Sequence, residues 1–233
     1  MANKSIVART LHKWFALIVG VQALLWFISG AYMTIVPLEI IHGDHLEHAH
    51  SDPLKLSVPG GAKGLDAVKR HFPGAEKVET STLDGRTVVK ASGGERSGVV
   101  DLASGTLLTP IGREMATRIA SDAYTGKGEV TATDWITKAP QEVSTRPVPL
   151  WAVRFDDLGR TTFYVSPSSG NIVARRHTLW RIFDFVWMFH IMDYENRTDV
   201  HHPLLRIAII TTLLMALSGI WLLLYSFHRR ERA

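Results

Sequence analysis

Two long apolar runs bracket a middle of mixed character. Residues 14–38 contain no charge and are rich in Leu, Ile, Val, Phe and Trp. A helix rising about 1.5 Å per residue crosses the roughly 30 Å hydrocarbon core of a bilayer over such a length, with some tilt. Residues 207–227 are likewise uncharged and of spanning length. The first run is too long for the h-region of a signal peptide and no small-x-small site closes it, so an uncleaved anchor is expected. A third apolar stretch, residues 178–192, is too short to span and is interrupted by Arg181 and Asp184. At about 100° per residue these two charges share one face, and His190 lies roughly opposite Arg181. The stretch reads as an interfacial amphipathic helix with Trp180 and Trp187 at headgroup level.

Between the runs, residues 64–176 read as two copies of one unit. The first opens with a helix around residues 64–72, followed by strand-like runs near 77–82, 86–91 and 98–101. The second has a helix around 112–124, a strand near 129–135, then alternating strands at 150–155 and 161–165. Asp157 to Gly159 and Ser166 to Gly170 supply turns. The endings VVDLASGTLL and FYVSPSSGNIV are parallel. Each unit is expected to be a helix packed on a small antiparallel sheet, which makes an α+β domain.

Charge orients the two anchors. Lys4, Arg9 and Lys13 precede the first, and Arg229, Arg230 and Arg232 follow the second. The loop leaving the first is acidic, with Glu39, Asp44, Glu47 and Asp52, and its first lysine is Lys55. The positive-inside rule therefore places both termini in the cytoplasm and residues 39–200 outside, against the weaker signal of Arg175, Arg176 and Arg181. This topology accounts for the pI near 9.4, and no nucleic-acid partner is expected. Cysteine is absent, which excludes disulfides, Fe–S clusters, thiolate zinc and covalently attached c-type haem.

The turns carry a family resemblance. Phe155-Asp156-Asp157-Leu158-Gly159 and Tyr164-Val165-Ser166-Pro167-Ser168-Ser169-Gly170 resemble the PepSY pattern of strand, D/N-G turn, strand and D-P-x-T-G turn, with Ser166 where Asp is usual. Leu11-His12-Lys13-Trp14 with Ser29-Gly30, and Phe189-His190 with Leu217-Ser218-Gly219, are similar to the PepSY-associated transmembrane family. The implied fold is a membrane protein with two transmembrane α-helices flanking an α+β periplasmic domain of two PepSY-like helix-plus-antiparallel-sheet repeats. The implied segments are a cytoplasmic N-terminus (1–13), transmembrane helix 1 (14–38), a His-rich periplasmic linker (39–63), the tandem domain (64–176), an interfacial helix and loop (177–202), transmembrane helix 2 (203–227) and a basic tail (228–233). Larger members, such as the ferrisiderophore reductases, carry four spanning helices. A complete bundle here would need a homodimer or a partner membrane subunit in the bacterial inner membrane.

Eleven histidines are the main chemical signal. His12 and His228 lie at the cytoplasmic ends of the spanning helices, and His190, His201 and His202 at or near the outer end of the second. A b-type haem takes two neutral imidazoles, and helical bundles build such sites between facing helices. The layout is that of a haem near each membrane face, with His12, His190, His201, His202 and His228 as candidate ligands. Other readings stay open: His12 and His228 as interfacial anchors in basic flanks, and His201 or His202 as a cap. The run HGDHLEHAHSD places His42, His45, His48 and His50 beside Asp44, Glu47 and Asp52, a donor set for a divalent metal or iron. Its alternative is a mobile polar loop.

Remaining features read as structural. Ala208, Thr212 and Ala216 form a small-residue ridge for helix packing. Gln22 and Ser29 share a face of the first helix and are expected to bond across helices. No nucleophile–base pair, phosphate-binding glycine loop or HExxH motif is present, nor is the flavin-transferase acceptor pattern. Three functions follow. One is haem-dependent electron transfer to a periplasmic acceptor, a ferric siderophore or a flavoprotein, with ferric reductase activity as its enzymatic form. The others are a membrane-anchored PepSY binding or regulatory module, and a periplasmic metal-handling accessory protein.

Overall fold

The computed structural model describes residues 2–48, 61–93 and 96–230, with side chains for 10, 12–48, 61–93 and 96–221. In chain order the helices are α1 (Ala2–Ile35), α2 (Leu38–His42), α3 (Gly61–His71), α4 (Arg113–Ala123), α5 (Thr178–Ile191) and α6 (Pro203–Arg230). The strands are β1 (Lys77–Leu83), β2 (Arg86–Gly93), β3 (Arg96–Asp101), β4 (Val130–Ile136), β5 (Leu150–Phe155), β6 (Thr162–Val165) and β7 (Ile172–Arg176). Two compact units result, one formed by Met1–Pro37 with Ile182–Ala233 and the other by Leu38–Arg181.

The helical unit holds two helices long and apolar enough to cross a membrane, over His12–Ile35 and Pro203–Trp221. Only 6% of each span is buried, so neither is a core helix within this chain. Phe27 is 77% and Trp221 72% exposed, side chains that a lipid environment accommodates and water does not. The first helix stops at Ile35 rather than Leu38, because Pro37 lacks an N–H and disfavours helical backbone at the residue before it. The second begins at Pro203, whose fixed φ suits a first helical position. Its opening turn contains Arg206, which is why the uncharged run starts later than the helix.

The other unit is α+β with two antiparallel sheets, ordered β1-β2-β3 and β4-β5-β6-β7. Helix-then-sheet occurs twice, the second sheet having one strand more. In β2 the adjacent Val88 and Val89 are both buried although they point to opposite faces. The first sheet is covered on both sides: Val89, Ala91 and Val100 meet Ala67 and Val68 of α3. Val88 and Val99 join α4 and the Val153, Phe155, Phe163 and Val165 face of the second sheet. On that sheet's far face, Leu150, Ala152, Tyr164 and Ala174 pack with Val143.

The domain begins earlier and ends later than residues 64–176. The start of the His-rich segment is part of it: Ile41 is buried, His48 N–H donates to the Ala123 carbonyl at 2.8 Å, and Thr125 Oγ1 donates to the His45 carbonyl at 2.7 Å. Residues 38–48 are therefore pinned to the domain rather than hanging as a loose loop, while 49–60 lie outside the described residues.

Gly64 sits inside α3 despite the entropic cost of glycine in a helix. A Cβ there would lie 2.6 Å from both the Cα and the carbonyl oxygen of Leu102, in the turn after β3. Backbone cannot yield as a side chain can. Gly64→Ala is expected to destabilise the domain by about 1–3 kcal/mol through overpacking. Faster amide exchange confined to α3 and β3 would confirm it, and an unchanged or higher melting temperature would refute it.

Candidate functional site

The best-defined polar constellation lies in the helical unit, at the C-terminal end of α5. The last carbonyls of any helix lack intrahelical partners, and in an apolar surrounding each must find one. Three consecutive ones do. The Phe189 carbonyl accepts from Gln22 Nε2 at 3.4 Å, His190 from Trp26 Nε1 at 2.8 Å, and Ile191 from His202 Nε2 at 2.8 Å. Gln22 and Ser29 thus bond to α5, as their shared face implied.

His190 is fixed by its ring as well as its carbonyl. Its Nδ1 is 2.8 Å from Ser29 Oγ, a residue only 2% exposed. The single Ser29 hydroxyl proton is directed at carbonyls of its own helix, to Leu25 at 2.7 Å and Trp26 at 3.1 Å. With that proton on one of these carbonyls, the Ser29 oxygen is left to accept from a protonated Nδ1; the tautomer follows from this assignment of the hydroxyl. Nε2 makes no hydrogen bond to a described residue. Trp187, one turn earlier, stacks on the ring at 6.0 Å with 14° between planes. Metal-bound histidines have this arrangement: the second nitrogen donates to a fixed acceptor, which sets the tautomer and the ring orientation.

A tight connection holds the neighbouring histidines. Asp193 accepts backbone N–H groups from Asp199 (3.0 Å), Thr198 (2.9 Å), Asn196 (3.0 Å) and Glu195 (3.3 Å). These bonds, the Asp199 one foremost, hold its carboxyl down to about 2 despite some desolvation. Arg197 pairs with Asp184, and its carbonyl accepts from Trp187 Nε1 at 3.1 Å. The connection presents His202 to the Ile191 carbonyl, so His202 carries its proton on Nε2 and its lone pair on Nδ1. His201 is exposed, and only its backbone N–H is engaged, by Asp199. His190 and His202 are thus brought to one end of the unit, and His201 stands outside the bonded set.

The remaining predicted ligands are elsewhere. His12 is half-buried on α1, about 25 Å along the helix axis from Ser29, too far to share a ligand with His190. His228 lies in the last turns of α6, its side chain outside the described residues, as is all of His50.

In the α+β unit, His42, His45 and His48 do not form a ligand group with carboxylates, and no cluster of metal-ligating side chains occurs among the described residues. Asp44 and Glu47 are taken by Arg175. A residue that the sequence reading passed over, His177, is 4% exposed. Its Nε2 donates to the Ile41 carbonyl at 3.2 Å, and its ring meets that of His45 edge-on at 5.8 Å. Burial holds it below the ordinary imidazole value, which keeps it a neutral structural donor. No spacing signal marked it. The same unit has an apolar cleft of about 640 Å³ walled by Phe72, Leu107, Trp135, Val148 and Pro149.

Comparison with known proteins yields no relative: no family model matches the chain, and neither a characterised protein nor a solved structure matches it.

Proposed function

We propose that this chain is a PepSY-like protein of the bacterial inner membrane, with cytoplasmic termini and a periplasmic α+β domain, that binds b-type haem and passes electrons to a periplasmic acceptor. The observation that carries the reading is the His190 imidazole, held at Nδ1 by Ser29 and with Nε2 unengaged by any described residue, in the unit that contains both long apolar helices. Such a nitrogen would be available to ligate haem iron. Orientation is supported by the basic flanks of both long helices, and the tandem repeat by the twofold helix-then-sheet order.

Haem, once bound, supplies one-electron chemistry at a potential set by its surroundings. The chain's own contributions are specific. His190 offers Nε2, Ser29 holds the ring against rotation, and Trp187 covers one ring face. His202, with its lone pair on Nδ1, is the other candidate at the same end, and a second copy of the chain would bring a second His190. His12 at the opposite end of α1 would serve a separate group.

Full-length protein purified in detergent from haem-sufficient cells should be red, with a reduced-minus-oxidised difference spectrum showing Soret and α bands. A colourless preparation that takes up no added haemin sinks the proposal.

The apolar cleft favours one other reading, in which the domain is a binding module and the helices are its anchors. That reading expects a colourless protein whose partner binding is lost on Trp135→Ala. The metal-handling alternative keeps only the composition of the histidine-rich run in its favour.

A further inference from the structure

A polar cleft of about 260 Å³ opens along β7 in the α+β unit, lined by His42, Arg146, Arg175, Arg176 and Trp180 together with strand backbone. No carboxylate lines it. Arg175 is committed to Asp44 and Glu47. Arg176 lies with its guanidinium carbon 3.9 Å from the centre of the Trp180 ring, donating from Nε to the Glu142 carbonyl and from Nη1 to the Arg175 carbonyl. That guanidinium is therefore held rigid at the cleft wall. Arg146 is different: it is exposed, and its side chain forms no hydrogen bond or ion pair with a described residue. The exposed guanidinium of Arg146 and the fixed one of Arg176 line the same cleft, two cations that one anion can join.

The chain's connectivity indicates where that anion comes from. His42 follows by a few residues the point where the chain leaves α1, and Trp180 precedes by two the point where α5 passes into the helical unit. The first turn of α5 also ties down the hairpin tip between β5 and β6: Thr178 N–H donates to the Gly159 carbonyl at 2.7 Å, and Arg181 Nη1 to that of Arg160 at 2.9 Å. At this tip Leu158 is fully exposed, an apolar side chain held out on the hairpin that the first turn of α5 ties down. Arginine, indole and an outward leucine together suit the boundary between headgroups and acyl chains.

We propose that the cleft binds the phosphate of an anionic phospholipid headgroup, with Arg146 and Arg176 as its cationic partners, Trp180 at the glycerol level and Leu158 beside the acyl chains. The proposal rests on reading α1 and α6 as membrane-spanning, but not on haem. Its role is to seat the domain on the leaflet.

The test uses full-length protein, delipidated in detergent and titrated with phosphatidylglycerol, phosphatidylcholine or inorganic phosphate, with binding counted by native mass spectrometry. Wild type should bind its first phosphatidylglycerol roughly five- to tenfold more tightly than Arg146→Gln. Arg146→Lys should recover most of the difference, and phosphatidylcholine should not distinguish the three proteins. Equal phosphatidylglycerol affinity in wild type and Arg146→Gln overturns the proposal. So does inorganic phosphate binding as tightly as the lipid, which would make the cleft a soluble-anion site. Extraction of cell membranes with alkaline carbonate separates this from the spanning reading: release of the protein would refute the spanning helices, whatever the titration shows.

Discussion

Replacing His190 by alanine is expected to remove the haem bands of the outer site from the purified protein, whereas Ser29→Ala leaves them present with affinity lowered roughly 10–100-fold. The two residues form one device with unequal parts. His190 contributes the donor atom. Ser29 contributes its orientation, through the 2.8 Å contact of its hydroxyl with Nδ1. Without Ser29 the ring can adopt the other tautomer, which turns a protonated nitrogen outward. Ser29→Thr keeps the hydroxyl and the helical back-bond and should restore most of the affinity. His12→Ala should leave the His190-dependent spectrum intact, since about 25 Å of α1 separates the two levels. If His190 only fills space beside Trp187, the alanine variant keeps its colour and loses only stability. The paired measurement of difference spectrum and melting temperature distinguishes the two cases, and a full-strength spectrum in His190→Ala rules out His190 as ligand.

What the sequence made legible here was periodic, and what it hid depended on tertiary neighbours. The two apolar runs, the length of α5 and the pairing of Gln22 with Ser29 on one helix face all follow from helical repeat and composition. The strand at 150–155 was legible as a short apolar run bounded by turn residues, although both faces of its sheet are covered. In β2, alternation failed to mark one core face because Val88 and Val89 both meet cover. Residues 38–48 read as a polar linker because what pins them is tertiary: Ile41 is buried, Asp44 and Glu47 pair with Arg175 far along the chain, and backbone bonds reach residues 123 and 125, none of which leaves a periodic pattern in the segment. His177 is buried through contacts with that same segment, so missing one meant missing the other. His202 shows the limit on site reading: its position at the start of a helix suggested a cap, but the carbonyl it serves belongs to α5, eleven residues back along a fold-dependent path. That His12 and His228 lie on long helices was readable from the sequence, while their partners were not.

Glu142→Ala should destabilise the α+β unit by about 3 kcal/mol, because it strands two groups at once. One carboxylate oxygen accepts from Arg181 Nε at 2.7 Å; the other accepts from Tyr164 Oη at 2.6 Å and Arg181 Nη2 at 3.2 Å. The Tyr164 side chain is buried, and its phenol is raised in pKa first by burial and then by the Glu142 carboxylate, so it remains a donor that needs an acceptor. Arg181 would be left with only the Arg160 carbonyl and a long contact to Thr162. For a domain of this size such a loss lowers the melting temperature by roughly 6–12 °C. The exposed Arg154–Asp134 pair is the internal comparison: with half of the arginine side chain and over 40% of the aspartate in solvent, Asp134→Ala should cost under about 1 kcal/mol. Acid supplies an independent check. Burial alone would raise the Glu142 carboxyl, but the Arg181 and Tyr164 hydrogen bonds and the nearby guanidinium charges outweigh it, and the group titrates below its ordinary 4.5. A carboxyl depressed in the folded state contributes stability that is fully present above its unfolded value and disappears as the pH falls through the folded one. Wild type should therefore lose stability from about pH 4.5 downward more steeply than Glu142→Gln, which has no charge to lose there. Parallel acid profiles for the two proteins, or a Glu142→Ala melting temperature no lower than that of Asp134→Ala, would show that this cluster does not hold the domain together.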